Sequence, residues 1–537
     1  MKRKISTSVW IILIGIIFLT ACNADSDNQE SAGSADESDI AINETGFPIV
    51  DEPLDMTMMG PGTGLAEWAD MAVLQEYQEM TNIHFTFDTP PLSDFQTKLN
   101  LAFASGDVKD VIYGAGSDNL TPGMEVDYGE QGILLPLEDL IEEHAPNIQK
   151  LFEEDPDVKK SVTTLDGHIY SLPRVSRGPT AAWALGPMWY NGEWLDALGV
   201  KELPKTTDEF YELLKRFKEE DPNGNGEADE IPLIDTQERH TRLWLMGAFG
   251  LKEWGIEEVD GTVRYTPITE NYREYLAYMH KLYDEGLLDP ETFAQTNEQK
   301  TAKGQNNQVG VFQAWFSFFT TGQSEAEAMN NPMFQPLVSD LTDEPVIPRN
   351  TTIGRGTFSI TKDNPNPEAA IRWIDYFYSQ EGFDFLAQGP EGYLWEWDNE
   401  EEGTKTWFEA PEGYETTEDY RGTLTPNYGI SAPGLVVPIT GKEDSDFDKF
   451  IKAETAEKVE PYAEVPFPLV YLSNEEQAEI NSIEVDLQSY VEQMEAKFIT
   501  GVEPLSKWDA YVETIENMNI GKYVEVHQAA YDRWAAN

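Results

Sequence analysis

The chain has 537 residues, 98 acidic and 37 basic side chains, a formal charge of −61 and an aromatic content of 12%, more than folding alone requires. A surface this negative repels phosphate backbones and anionic headgroups, so binding to nucleic acid, or to a membrane through the bulk surface, is excluded. Cys22 is the single cysteine, which rules out an intramolecular disulfide, and the length exceeds what one hydrophobic core serves, so two domains are expected.

Lys2, Arg3 and Lys4 precede an apolar run from Val9 to Leu19, the length of a signal-peptide core and too short to span a bilayer comfortably. The run ends in Leu19-Thr20-Ala21-Cys22, which resembles a bacterial lipobox. Residues 1–21 are therefore read as a lipoprotein signal and Cys22 as a diacylated anchor; the alternative is a cleavable secretory signal with an incidental cysteine. Residues 22–45, rich in Asp, Ser, Asn, Glu, Ala and Gly, have too little apolar content to offset their ordering entropy and read as a flexible tether.

Pro48 to Met59 reads as extended, followed by a glycine-rich loop, Gly60–Gly64. A helix is predicted from about Leu65 to Met80, with Leu65, Trp68, Ala69, Ala72, Val73, Tyr77 and Met80 on one face. Ile83 to Phe87 alternates as a strand does, Phe95 to Ala104 is helical and stops at Gly106, and Val108 to Tyr113 is a buried strand. Strands and helices in alternation imply an α/β fold with a parallel sheet. Ligands sit at the carboxyl ends of such strands, so the Gly60–Gly64 and Gly114–Asn119 loops are candidate binding edges, with Thr63 and Asp118 as their candidate contacts.

Leu165 to Pro173 reads as a hairpin, carrying Tyr170, that feeds a connecting segment. Met188 to Tyr190 is extended, Glu193 to Leu198 helical, and Thr207-Asp208-Glu209-Phe210 caps a helix with Phe210, Leu213, Leu214 and Phe217 on one face. Gln308 to Phe319 is predicted as a strand carrying Trp315, Gly356 to Thr361 as another, and Asn366-Pro367-Glu368 opens a helix. No internal repeat is evident.

Residues 221–232, DPNGNGEADEIP, place Asp221, Asn223 and Asn225 as oxygen donors at positions 1, 3 and 5 of a calcium loop, with Gly226 permitting the sharp turn. Pro232 stands where an EF-hand has its bidentate Glu, and an Asn/Gly turn without an ion is the alternative. No second sensor-type helix follows, so a structural ion is favoured over a switch.

Glu193–Gly199 (EWLDALG), Pro204–Phe210 (PKTTDEF), the DPNGNGEADEIP loop and NPNPEAAIRWIDYFYSQEG (364–382) occur in order, together with FASGDVKDVIYGAG (103–116) and the lipobox. In this the chain resembles the large solute-binding lipoproteins of carbohydrate ABC importers, in the subgroup that includes the alginate-binding proteins. The resemblance implies a two-lobe periplasmic-binding-protein-like α/β fold of type II, with ligand held in the cleft between lobes joined by hinge segments. It puts the first lobe at 46–174 and 348–430, and the second at 175–347 and 431–537, the latter with the C-terminal helices. It also implies a shortened calcium loop with ligands Asp221, Asn223, Asn225, Glu227 (backbone), Asp229 and Glu230.

Sugars are held by flat apolar faces and a few planar hydrogen-bonding groups. Trp315 occupies a family position that often faces ligand, Trp395 and Trp397 lie where relatives carry a stacking aromatic, and Trp189 and Tyr190 follow the first crossover. Trp68, Trp194 and Trp373 read as helix-face packing; Trp244 is left open. Arg174 and Arg177 flank the first crossover and Arg349 and Arg355 the return segment, where arginine forks suit sugar hydroxyls or carboxylates; for Arg177 and Arg349 ion pairing is the favoured reading.

The six histidines form no HExxH pair, and there is no GxSxG elbow or phosphate loop. The function expected is non-enzymatic: a lipid-anchored, monomeric extracellular protein that captures an oligosaccharide by hinge closure and hands it to an ABC permease. A glycosidase or lyase, which needs only two carboxylates, and a lipoprotein serving a sensor kinase are the alternatives.

Overall fold

Alternating apolar residues in Leu54–Met59 and Ile83–Asp88 make two strands that pair in parallel, from Leu54 opposite Ile83 to Met59 opposite Asp88. Val111–Tyr113 lies parallel on the other side of Leu54–Met59. In the computed structural model, which describes residues 41–178, 180–236, 239–414 and 416–536, these strands belong to a six-stranded sheet. Across it run Gly434–Val436, Leu172–Ser176, Ile353–Ile360, Val111–Tyr113, Leu54–Met59 and Ile83–Asp88. Ile353–Ile360 is antiparallel to both neighbours, so the sheet is mixed and not wholly parallel.

The helix expected from Leu65 begins at Ala72, because Met71 is extended and interrupts the turn Trp68–Asp70. The interruption lets the Trp68 ring drop beneath Gly60 against Tyr113, 5.5 Å between centroids; a side chain at Gly60 would meet that indole at 2.3 Å. The stretch around Tyr170 forms a turn closed by Gly167 (φ +89°) and then the strand Leu172–Ser176, in place of a hairpin. Thr206, one residue before the expected cap, accepts the Glu209 N–H at 3.1 Å and opens Thr207–Glu219.

A second sheet holds Met188–Tyr190, Val309–Gln313 and Ile231–Ile234, with Val309–Gln313 central. Its core takes in Phe210, Leu214 and Phe217 of one helix, and Ile480, Leu487 and Val491 of the C-terminal helix Asn474–Ile499. Two sheets with separate cores give two lobes. The chain crosses between them at 177–187, at 348–352 and at 437–445, since Gly434–Val436 still pairs in the first sheet while Asp446–Lys458 packs on the second core. The second return to the far lobe therefore comes after Val436, later than residue 430.

Candidate functional site

The sharpest aromatic feature lies at the carboxyl end of the central strand of the second lobe. Val309–Gln313 stops before Trp315, which is 49% exposed, as is Phe319 at 57%. Trp315 lies 6.0 Å from the ring of Trp183, a buried residue of the first crossing, whose Nε1 donates to Thr455 Oγ1 at 3.2 Å. Phe316 meets Trp183 at 6.1 Å and Phe447, just past the third crossing, at 5.5 Å. An aromatic wall thus stands where the crossings enter the second lobe. Phe319 was invisible in the sequence because its exposure follows from the end of the strand at Gln313.

On the first lobe, Thr63 lines a cavity of about 600 Å³ with Gly62, Leu65, Leu92 and Tyr428, at the carboxyl ends of the two parallel strands. Asp118 is exposed beside this edge, its carbonyl accepting from Gln96 Nε2 at 2.7 Å. Arg174 is half-buried on the strand that enters the first crossing.

Other expected contacts are packing residues. Trp189 and Tyr190 are 0% exposed: the indole donates to the Ala314 carbonyl at 2.9 Å, and the phenol ring stacks on Phe334 at 5.6 Å. Met188–Tyr190 lies at the edge of its sheet but is covered on its outer side by a bridge from Trp189 to Met333, so both rings are taken into the core. Tyr170 is buried against Gly129 and donates to Asp166 Oδ2 at 2.7 Å. Arg355 is buried with its guanidinium 4.5 Å over Tyr471, donating to the Val470 carbonyl at 3.0 Å. Buried Trp395 and half-buried Trp397 fold around Lys405, whose Nζ is 4.0 and 4.5 Å from their ring centroids; the hairpin Trp395–Asn399/Thr404–Trp407 uses them to house a cation. Arg177 pairs with Asp155 at 2.6 Å as expected, whereas Arg349 is exposed with no ion pair among the described residues. Trp68, Trp194, Trp373 and Trp244 are buried.

In the 221–230 loop, Gly226 takes φ +78°. Its N–H donates to Asp221 Oδ2 at 3.1 Å, and Glu227 N–H to Asn225 Oδ1 at 2.7 Å. Asp229 Oδ1 accepts from Asn225 and Asn223 amides at 2.9 and 3.1 Å, and Oδ2 from Gln308 at 2.7 Å. These donors, that of Asn225 foremost, hold the Asp229 pKa down. Burial, with the charges of Asp229 and Asp221, pushes Glu230 up, and its Oε1 is buried without a partner. Among the described residues no group of three His, Cys, Asp or Glu is arranged as a metal cluster; this loop would supply amide and backbone oxygens besides its acids. The orphaned Glu230 oxygen and the oxygen-only donor set fit a hard cation such as calcium. Cys22 lies outside the described residues.

Three comparisons with known proteins agree. The family model described as bacterial extracellular solute-binding protein matches residues 62–382. The fructooligosaccharide ABC transporter substrate-binding protein FusA of Streptococcus pneumoniae is 28% identical, covering 100% of this chain and 99% of its own. The FusA EF-hand mutant bound to fructo-nystose matches with a TM-score of 0.70 and 26% identity, over 90% of this chain and 100% of that one. An "HMO binding" ABC-transporter-associated solute-binding protein from Bifidobacterium longum infantis superposes with a TM-score of 0.76 at 21% identity, over 90% of this chain and 99% of its own, a likeness of fold. Matched across more than half its length, this chain belongs to the bacterial extracellular solute-binding protein family.

Proposed function

We propose that the protein captures an oligosaccharide outside the cell and delivers it to an ABC permease, without making or breaking a bond. The observation that carries the reading is the Trp315–Phe319 wall at the crossings: apolar ring faces left uncovered beside a hinge suit the flat faces of sugar rings. Full-length likeness to a sugar-binding transporter component supports it. Ligand bound between the lobes favours the closed arrangement by its differential affinity for it. Calorimetry with kestose, fructo-nystose and a panel of plant and algal oligosaccharides tests this. One-to-one binding of at least one of them, without products, is expected; turnover of an oligosaccharide with no stoichiometric binding refutes it.

Two finer points belong to the same reading. Cys22 carries a diacyl anchor that holds the protein, as a monomer, on the outer face of the membrane. A Cys22→Ala variant should appear in the medium, and its retention on membranes would argue against the anchor. The 221–230 loop holds a structural calcium ion through Asp221, Asn223, Asn225, the Glu227 carbonyl, Asp229 and Glu230. The relative's description as an EF-hand mutant supports a cation loop in this group of proteins.

A further inference from the structure

Arg174 is an arginine without a counter-ion in a chain where acids outnumber bases 98 to 37. Among the described residues no hydrogen bond or ion pair ends on its guanidinium, although Arg177, Arg216, Arg242 and Arg533 all have carboxylate partners within 3.0 Å. Its cross-strand neighbours are Gly354 and Gly434, so no side chain flanks it on either adjacent strand. Leu172, Phe358 and Tyr113 stand in register across three strands, so Arg174, two residues beyond Leu172, shares a sheet face with the Tyr113 phenol; the charge that acts on it is a second cation, Arg421. Arg421 is held by Glu418 at 2.8 Å and by the carbonyls of Ala387 and Asn427 at 3.1 Å, and its guanidinium lies 5.2 Å from the ring of Tyr428, which lines the first-lobe cavity beside Thr63. The Tyr113 hydroxyl is buried with no partner.

Burial, and after it the opposing influences of Tyr113 and Arg421, leave the Arg174 pKa below its ordinary value. A partly desolvated fork beside a like charge and an orphaned hydroxyl costs stability unless something completes it. Gly354 leaves room beside the Arg174 stem, whereas Phe377 closes the Gly434 side, and the position three residues before the first crossing puts Arg174 at the hinge end of the first lobe.

We propose that Arg174 and the Tyr113 hydroxyl form a subsite for an anionic oxygen group on the bound oligosaccharide, the carboxylate of an acidic sugar or a sugar phosphate. The planar fork matches either anion bidentately, and the phenol supplies a third donor. The proposal rests on the oligosaccharide-binding reading and narrows it. In so negative a chain this subsite is what would admit an acidic ligand at all.

The test is calorimetry of the full mature chain with trigalacturonate, with a phosphorylated maltotriose, and with kestose and maltotriose as neutral probes. One of the two anionic probes should bind at least tenfold more tightly than the neutral probes, and which one identifies the group. Arg174→Gln should weaken that probe about 10- to 100-fold, the range for losing a charge-assisted hydrogen-bonded pair, with neutral binding unchanged. Arg174→Lys should recover part of the loss, and Tyr113→Phe should weaken the anionic probe with the melting temperature held or raised, since it removes an unpaired buried hydroxyl. Tight neutral binding with no anionic preference, or an equal loss for both classes in Arg174→Gln, overturns the subsite and leaves the oligosaccharide reading standing. If no oligosaccharide of any kind binds, both fall.

Discussion

Trp315 and Trp189 are close in space and opposite in burial, which makes them a paired test of what positions ligand and what merely packs. Trp315 is 49% exposed. A tryptophan carries on the order of 200 to 250 Å², so roughly 110 Å² of this ring is open. If a sugar ring covers about half of that, the gain at about 25 cal/mol per Å² is near 1.4 kcal/mol, or about tenfold in affinity. Trp315→Ala should therefore weaken the best-binding oligosaccharide about tenfold by calorimetry. Its melting temperature should fall less than that of Trp189→Ala, because about half of the Trp315 ring already lies in solvent. Trp189→Ala removes a ring that is 0% exposed and hydrogen-bonded to Ala314, and should cost about 3 to 5 kcal/mol of stability in denaturant titration. A Trp315→Ala protein that binds normally, or that is destabilised as much as Trp189→Ala, refutes the assignment of the ligand wall.

Glu125 is fully buried, accepting from Ser171 and Tyr471 at 2.8 and 2.7 Å with Arg355 nearby, and burial pushes its pKa above the ordinary value. A raised folded-state pKa contributes stability that is full below the ordinary glutamate range and is lost as pH rises through the folded value. Glu125→Gln should flatten that decline in a melting series from pH 4 to 8; an unchanged pH slope would count against it. Lys405, caged by Trp395 and Trp397 and 3.8 Å from Asp384, should cost about 2 to 3 kcal/mol when changed to Met, less than a fully isolated buried pair because Asp384 keeps the Gln380 amide and the Thr440 N–H. Denaturant midpoints no lower than those of the parent would contradict it. For the loop, chelation should lower the melting temperature, by an amount equivalent to about 2.7 kcal/mol if calcium stood at 100 times its Kd, and Asp229→Ala should abolish the response. Unchanged melting with no metal in elemental analysis would dismiss the ion.

The parts of this protein that sequence discloses are those whose signal is local. The alternating strand from Ile83, the Gly106 stop and the Asn366 cap are each set within a few residues, and each stands where the local pattern puts it. Direction within the sheet is different: Ile353–Ile360 is antiparallel because the chain returns from the other lobe, a fact carried by residues far away. The aromatic contacts divide along the same line. A tryptophan's composition signal is the same at 189, 315 and 395, but the sheet covers the first, the end of the central strand exposes the second, and a lysine ten residues on claims the third. Arg174 and Arg355 divide in the same way. Both flank a crossing in the sequence, yet Arg355 lies over the Tyr471 ring, while Arg174, between two glycines, has no hydrogen-bond or ion-pair partner among the described residues. Whether an arginine is left open to a partner is therefore decided by the side chains around it, and these come from strands that the sequence does not place side by side.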